Sequence, residues 1–381
     1  MKNIGNRNEY YEFGYHIFGP LLLTYADWLR LHFEDKKYKK VFFLARDGFM
    51  IEKAYAKLAA SNSIEYEYVY FSRRSIRQAL LWTCTSYEEV LTYLPGTRFV
   101  NAGTLLENWG FSIEDRAVIA GKFHIDLEED LLYSDLKENA IVSSWYYSLF
   151  DEINNKSKKQ YEYLLSYFQQ IGMQGHCAIV DIGWHGNLQF YLEEVIRIAN
   201  LPITLDGYFL GITPARPLNG QVYGFVYSPK DLSKRKQLLC FFGICERLFQ
   251  SLEGTITEYT LQENKVVPVL EEYEYGSDKT LTEIIKILHD GALAYIEHNK
   301  DKEITRKEVQ CSINKFIRFG QYPGLNHLRL FSNFYNVDGT KVYYLPQKPI
   351  YKFGLKELMH GLSNSTWKTG YMKQLFKVPL P

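Results

Sequence analysis

Apolar and polar residues alternate along the chain in blocks that predict a sheet flanked by helices. From Phe18 to Phe33, apolar side chains recur at helical spacing and share one face. The runs at 41–45 and 177–181 are typical of buried strands, and the runs at 66–71, which is rich in aromatic and β-branched residues, and at 203–212 predict two further strands. Helical patterns follow the first three runs, and this alternation predicts an α/β fold with a mostly parallel sheet.

The same pattern divides the chain into four segments. Residues 1–85 and 174–258 carry the strand–helix units, and we expect them to form one α/β domain. Residues 86–173 have an almost wholly helical pattern and predict a helical insertion in that domain. Residues 259–381 predict a helical and irregular C-terminal region, in which the basic and aromatic stretch around Trp367 is expected to be a disordered tail rather than a flap over a ligand.

Composition narrows the possible classes of function. Lys plus Arg and Asp plus Glu both total 44, and this balance argues against a protein whose main role is binding bulk nucleic acid. The five cysteines lack metal-ligand spacing, so we expect free thiols in a reducing cytoplasm. We expect no signal peptide and no transmembrane segment. The 31 tyrosines and 24 phenylalanines fit either an aromatic-rich core or sugar-facing grooves.

Polar loops follow three of the predicted strands. In open α/β sheets, ligands bind beyond the carboxyl ends of the strands, so we expect these loops to meet at one edge. The candidate residues are Arg46, Asp47 and Gly48 after the first strand, Ser72, Arg73 and Arg74 after the second, and Asp181, Gly183, Trp184, His185, Gly186 and Asn187 after the third.

The residue types in these loops suit an anionic ligand. Arginine can bind phosphate through two parallel hydrogen bonds, and the free N–H groups at a helix start attract anions. The glycines allow close backbone approach or a concave turn around pyrophosphate. A strand-end aspartate can bind Mg²⁺ or accept a proton, and His185 can donate to a leaving phosphate or accept a proton.

Each candidate also has a purely structural interpretation. Asp47 and Gly48 can form an ordinary turn with a surface ion pair, and the arginines of the second loop can face water. Trp184 can fill a gap between a helix and the sheet. Glu246, in the mainly apolar stretch 240–251, is either a buried acid or part of a salt bridge, because a charge there must be solvated or partnered.

Several common motifs are missing. The first strand is not followed by GxGxxG, and there is no GxxxxGK[ST], which disfavours Rossmann cofactors and P-loop chemistry. There is no GxSxG nucleophile elbow and no HExxH zinc motif. The first strand offers a single aspartate where the haloacid dehalogenase phosphatases have two.

Four motifs, taken in order, resemble one known family. A helix opening with Phe18-Gly19-Pro20 is followed by FLARDG at 43–48, FSRR at 71–74 and VDIGWHG at 180–186. Together they resemble the glycan phosphoribosyltransferases of bacterial surface-polysaccharide assembly, over most of the chain from about Phe13 to the Trp367 region. The resemblance implies transfer of a 5-phosphoribofuranosyl group from 5-phosphoribosyl-1-pyrophosphate to a lipid-linked glycan of O-antigen or capsule, with release of pyrophosphate.

This resemblance also implies roles for the site residues. The loops would bind the two phosphate groups of the donor, with Mg²⁺ at the leaving group. Our hypothesis is that Asp181 holds the metal or the ribose and that Asp47 takes the acceptor proton, with the reverse assignment left open. The sequence lacks the acidic pair followed by Thr-Gly of purine-pathway phosphoribosyltransferases, so the donor assignment rests on the resemblance.

The fused haloacid-dehalogenase-type phosphatase domain of many relatives is not found in this sequence. A separate phosphatase would then remove the 5-phosphate, or the phosphate would remain. The alternatives are a phosphosugar hydrolase, which uses water at the same anion sites, and a non-catalytic scaffold of a polysaccharide assembly complex. The expected location is the cytoplasm, with peripheral contact to the inner face of the cell membrane left open.

Overall fold

The computed structural model of the protein describes residues 6–59, 64–95, 99–338 and 340–376. Its α-helices are α1 (Arg7–Phe13), α2 (Gly19–Asp35), α3 (Phe49–Leu58), α4 (Arg73–Leu80), α5 (Tyr87–Leu91), α6 (Ala102–Asn108), α7 (Ile113–Phe123), α8 (Ala140–Ser148), α9 (Phe150–Gln170), α10 (Asn187–Ile198), α11 (Arg235–Leu239), α12 (Phe242–Phe249), α13 (Lys279–Asn299), α14 (Arg306–Gln321), α15 (Leu325–Leu330), α16 (Leu355–Asn364) and α17 (Lys368–Phe376). Its strands are β1 (Val41–Leu44), β2 (Tyr66–Val69), β3 (Phe99–Asn101), β4 (Asp130–Leu132), β5 (Gly175–Trp184), β6 (Ile203–Ile212), β7 (Val222–Tyr227), β8 (Ile256–Gln262), β9 (Lys265–Leu270), β10 (Tyr335–Asp338) and β11 (Thr340–Tyr343).

Five of these strands form a parallel sheet in the order β2-β1-β5-β6-β7. The predicted α/β class, with a parallel sheet and flanking helices, is confirmed. Strand β1 lies between β2 and β5, so the next strand along the chain, β2, lies on one side of it and the later strands lie on the other. A sheet with this order has its ligand crevice where the direction reverses, beyond the carboxyl ends of β1 and β5. The last strand, β7, was not predicted from the sequence.

Helices cover both faces of the sheet. Val41 and Phe43 of β1 point into a core shared with α2, α3 and α13, whereas Phe42 and Leu44 point into a second core with α4, α9 and α10. Alternate residues of a strand face opposite sides, so a strand buried on both sides is apolar throughout. This explains why β1 reads as a continuous apolar run.

The segment expected to be a helical insertion has its own core. Buried side chains between Leu81 and Ile153, including Trp109 and Tyr146, form a cluster separate from the two sheet cores. The segment also contains a short antiparallel pair, β3 with β4, where only helices were expected. Strands of three residues are too short to produce a recognisable alternation in the sequence.

The C-terminal region is helical, as predicted, but it also contains two hairpins. Strands β8 and β9 pair across Glu263 and Asn264, which both have positive φ, as a tight hairpin turn requires. Strands β10 and β11 form the second hairpin.

The expectation of a disordered tail is wrong as far as Phe376, and 377–381 lie outside the described residues. Trp367 is fully buried and donates its indole N–H to the carbonyl of Gly320 at 2.8 Å.

All five cysteines are free, as expected. In the described part of the chain, no helix combines the length and the apolar character needed to cross a bilayer.

Candidate functional site

The three strand-end loops meet at one cavity of about 810 Å³ beyond the carboxyl ends of β1, β2 and β5. The cavity also receives Leu94 and Pro95 from the helical insertion and Asn336 and Val337 from the C-terminal region. Every candidate residue from the sequence lines it except Gly48. Those lining residues are Arg46, Asp47, Ser72, Arg73, Arg74, Asp181, Gly183, Trp184, His185, Gly186, Asn187 and Glu246.

Gly48 supports the first loop without lining the cavity. It precedes α3, and a Cβ there would lie 2.4 Å from the carbonyl oxygen of Leu44. The same carbonyl accepts the N–H of Gly48 at 2.8 Å, so the turn folds tightly against its own strand. Glycine is therefore required by packing within the turn, whereas the sequence had indicated approach to a ligand.

Arg46 is held by a carboxylate rather than free to grip a phosphate. Its backbone has φ 70°, in the left-handed region, and its N–H donates to the hydroxyl of Tyr68 at 2.8 Å. The guanidinium pairs with Glu274 at 2.9 Å and also donates to Thr255 and Gln250. This arrangement anchors the loop after β1 to the C-terminal half of the chain.

Glu274 also pairs with Arg247, whose side chain is only 4% exposed. Arg247 donates in addition to Tyr344, Gln250 and Asn336, each at 3.0 Å. Burial alone would raise the pKa of Glu274, but the charges of Arg247 and Arg46 hold it below its ordinary value. Glu274 therefore stays ionised between two arginines.

The second loop has one free arginine and two residues committed to the fold. Ser72 caps α4 by accepting the N–H of Ser75 at 2.9 Å and donates to the carbonyl of Ile256 at 2.6 Å. Arg74 forms ion pairs with Glu107 at 2.7 Å and Glu271 at 2.6 Å. Arg73 has an exposed side chain that forms no ion pair with any carboxylate in the described ranges.

The third loop is a sharp turn into a helix. Gly183 has φ 97°, Trp184 has φ 77° and Gly186 has φ 67°, so three of four residues are left-handed. A Cβ on Gly183 would lie 2.6 Å from the carbonyl oxygen of Gly211 on the neighbouring strand, which excludes other residues there. The turn leads directly to Asn187 at the start of α10, where backbone N–H groups lack intrahelical partners.

The side chains of this loop point to different partners. The indole N–H of Trp184 donates to Glu246 at 3.1 Å, and its partly buried ring also packs against one core of the sheet. His185 has an exposed side chain at the cavity.

Three half-buried carboxyl groups, Asp47, Asp181 and Glu246, line the cavity together. Burial, followed by the charge of Asp47, raises the pKa of Asp181 to about 8 and that of Glu246 to about 7. Burial also raises the pKa of Asp47, although nearby arginines, Arg46 first, oppose it. Near neutral pH the group therefore retains protons and can accept or release them. Glu246 is thus a buried acid of the cavity, and no salt bridge with it is formed among the described residues.

The carboxyl groups suit a divalent cation that is bound together with the phosphates of a substrate. No group of three or more His, Cys, Asp and Glu side chains in the described ranges is placed to hold a metal ion on its own. Magnesium commonly uses only one or two carboxylates together with substrate phosphates and water. Oδ1 of Asp47 is buried and has no hydrogen-bond partner among the described residues, and the charge of Asp47 is close enough to Asp181 to raise the pKa of that carboxyl group.

Three further charged cavity residues were not singled out from the sequence: Arg77, Arg216 and Glu274. Arg77 lies one helical turn after Arg73, so helical spacing could have identified it. The other two come from distant segments whose approach no local pattern indicates.

No protein-family model and no curated protein matches this chain. Its function is therefore inferred from the chemistry of the cavity together with the motifs described above.

Proposed function

We propose that this protein transfers a phosphoribosyl group from 5-phosphoribosyl-1-pyrophosphate to a hydroxyl group of a glycan. The observation that carries the proposal is the meeting of three carboxyl groups with raised pKa values, an unpaired arginine and a glycine-rich helix start in one cavity. The reaction needs this combination, since the donor has two anionic ends and the acceptor must lose a proton.

In the proposed reaction, the bond between C1 of the ribose and the pyrophosphate oxygen breaks, and its electron pair leaves with pyrophosphate. The acceptor oxygen forms the new bond to C1, and its proton passes to a carboxylate. Arg73 and the N–H groups at the start of α10 are suited to stabilise the charge on the leaving group. A carboxyl group with a pKa near neutrality is an efficient proton acceptor at physiological pH.

The contacts of the two aspartates support different roles. Oδ1 of Asp181 accepts the N–H of Ile182 at 2.8 Å, which fixes the orientation of the carboxylate and suits it to hold ribose or Mg²⁺. Oδ1 of Asp47 is unpartnered within the described residues, which suits it to receive the acceptor proton. When bound between Asp181 and the substrate phosphates, Mg²⁺ would supply positive charge to neutralise the leaving pyrophosphate.

The size of the cavity supports a substrate larger than a single phosphate. A volume of about 810 Å³ lies in the upper part of the range typical of ligand pockets, roughly 300–1,000 Å³. A donor and the terminal sugar of an acceptor fit such a space. The choice of a glycan of O-antigen or capsule as the acceptor, and a location in the cytoplasm, rest on the motif resemblance.

Isothermal titration with the donor and Mg²⁺ tests the proposal. Arg73→Gln should weaken donor binding about 10- to 100-fold, since it removes charge-assisted hydrogen bonds to phosphate. Arg197→Gln is the matched control, because Arg197 lies outside the cavity, exposed on α10 and paired with Glu194. Absence of saturable binding to folded wild type, even at millimolar donor, would refute the proposal.

Turnover assays separate the proposed transferase from a hydrolase. Release of pyrophosphate that depends on an added glycan acceptor supports transfer. Release at the same rate without any acceptor indicates that water is the acceptor, and the protein is then a phosphosugar hydrolase. Saturable donor binding without turnover, across a panel of glycans, favours the non-catalytic scaffold.

A further inference from the structure

The six arginines that line the cavity differ in how their charge is balanced. Three are paired with carboxylates, namely Arg46 and Arg247 with Glu274, and Arg74 with Glu107 and Glu271. The other three form no ion pair with a carboxylate anywhere in the described ranges; they are Arg73, Arg77 and Arg216. Arg73 is exposed, whereas Arg77 and Arg216 are partly buried. Because a partly buried cation without a counterion is costly, these two arginines in a cavity indicate a site for an anionic ligand.

Arg77 is partly buried on α4 beside other positive charges. Burial lowers its pKa, and the neighbouring charges of Arg73 and Arg74 lower it further, with only Tyr191 acting in the opposite direction. Its Nε donates to the carbonyl of Arg73 at 3.1 Å. Its side chain also forms a hydrogen bond with Tyr191, and because a guanidinium has five N–H groups, others remain available to a ligand.

Arg216 packs against two aromatic rings of α10. Its guanidinium carbon is 4.8 Å from the ring centre of Phe190 and 5.6 Å from that of Tyr191. One N–H group donates to the carbonyl of Thr92 at 3.3 Å. These contacts hold the guanidinium in the cavity wall, and its other N–H groups can bind oxygens of a phosphate. Tyr191 contacts both Arg77 and Arg216, so the two lie on one wall.

This wall is separate from the reacting carboxyl groups. The charge of Arg73 lowers the pKa of Asp47, Asp181 and Glu246, which places it close to all three. Arg77 lies one helical turn farther along α4 than Arg73, and Arg216 packs on α10, whereas the carboxyl groups lie after β1, in the second half of β5 and on α12. Arg73 therefore lies beside the three carboxyl groups, and Arg77 and Arg216 lie farther along the cavity wall.

We infer that Arg77 and Arg216 form a distinct subsite for the 5-phosphate of the donor, the phosphate that remains on the sugar. The inference rests on the proposed function and extends it by giving the two anionic ends of the donor different partners. The 5-phosphate keeps its charge throughout the reaction and lies away from the breaking bond, so fixed cations remote from the carboxyl groups suit it. Such contacts stabilise ground state and transition state alike.

The test compares two fragments of the donor, ribose 5-phosphate and inorganic pyrophosphate with Mg²⁺, by isothermal titration. Arg216→Gln and Arg77→Gln should each weaken ribose 5-phosphate binding about 10- to 100-fold and leave pyrophosphate binding unchanged. Arg197→Gln on α10 should change neither affinity. In turnover assays, the two cavity variants should raise the KM for the donor and leave kcat unaltered.

The charge-conserving variant Arg77→Lys should recover part of the lost affinity, which a purely structural effect on α4 would not produce. Equal weakening of both fragments by Arg216→Gln and Arg77→Gln, or of neither, would overturn the subsite while leaving the proposed function intact. If folded wild type binds neither fragment nor the donor, the proposed function itself fails.

Discussion

The indole N–H of Trp184 donates a hydrogen bond to the carboxylate of Glu246 across 3.1 Å. This bond connects the loop after β5 with helix α12, and it starts from a residue in a left-handed backbone conformation that few side chains adopt. A donated hydrogen bond stabilises the ionised carboxylate. The pKa of Glu246, raised to about 7 by burial and by Asp47, is therefore lower than it would be without Trp184.

We predict that in Trp184→Phe the free energy of unfolding keeps falling up to a higher pH than in the wild type. Glu246 has an ordinary pKa of 4.5 and a folded-state pKa of about 7, so the folded state binds the proton more tightly and the free energy of unfolding falls as pH rises between these values. Loss of the indole N–H raises the folded-state pKa by about one to two units. The fall should then continue to higher pH, as measured by chemical denaturation across a pH series.

Glu246→Gln provides the control for this prediction. It removes the titrating group, so the part of the pH dependence that belongs to Glu246 should disappear in this variant and in the double variant with Trp184→Phe. If Trp184→Phe shifts the pH dependence equally with Gln at position 246, the indole does not act through this carboxylate.

Asp181→Asn should stabilise the protein at alkaline pH. The folded-state pKa of Asp181, raised to about 8, lies far above its ordinary value of 3.8, so the free energy of unfolding of the wild type falls as pH rises between these two values. Asparagine keeps an oxygen for the N–H of Ile182 and carries no charge. We expect a gain of about 1–2 kcal/mol in unfolding free energy above that pKa and no gain at acidic pH. An equal effect at both pH extremes would contradict this explanation.

Replacing each of the two aspartates by asparagine should show which one accepts the proton and which one binds the donor. Asp47→Asn should reduce kcat by roughly 10²- to 10⁴-fold and leave the Kd for the donor unchanged, because it removes the proposed proton acceptor. Asp181→Asn should weaken Mg²⁺-dependent donor binding, since it removes the proposed ribose or metal ligand. The opposite pattern in steady-state kinetics and titration would assign the base to Asp181.

Glu274→Gln should be strongly destabilising. The substitution leaves the buried Arg247 without its carboxylate and also releases Arg46, and removal of one partner from a buried ion pair costs about 3–5 kcal/mol. Chemical denaturation measures the loss. The comparison is Glu194→Gln, which breaks the exposed pair with Arg197 and should have a much smaller effect. Similar losses in both variants would show that Glu274 is not a central support of the site.

Two glycine-to-alanine substitutions should change the free energy of unfolding in opposite directions. Gly48→Ala brings a Cβ to 2.4 Å from the carbonyl oxygen of Leu44 and should destabilise the protein by about 1–3 kcal/mol. Gly121→Ala lies within α7, where a Cβ meets no atom within 4 Å, and should stabilise the protein by about 0.5–1 kcal/mol. Thermal unfolding of both variants checks the contrast, and a loss in Gly121→Ala would contradict it.

The sequence was sufficient for the parts of the molecule that depend on local pattern. Val41 to Leu44 is a continuous apolar run and Ile203 to Ile212 is mainly apolar, and both are strands of the predicted sheet. The polar residues that follow the strands, such as Asp47 and Asp181, meet because parallel strands share a carboxyl edge. One rule of sheet geometry thus located most of the cavity.

The rest depended on contacts between distant segments. Arg46 is paired with Glu274, and no periodicity relates residues so far apart in the chain. Arg216 comes from a loop after β6 and reaches the cavity because it packs on Tyr191 of α10. Trp367 occurs among lysines and polar residues, which suggested a tail, yet a single buried indole anchors it to Gly320.

The network around Arg247 has a consequence for protein synthesis. Arg247 depends on Glu274, Asn336 and Tyr344, all of which are translated after it. A nascent chain that ends between Arg247 and Glu274 therefore contains every strand of the parallel sheet but lacks the carboxylate that pairs with Arg247. A product that ends before Tyr344 still lacks one hydrogen-bond partner of Arg247 and should be less stable than the full chain.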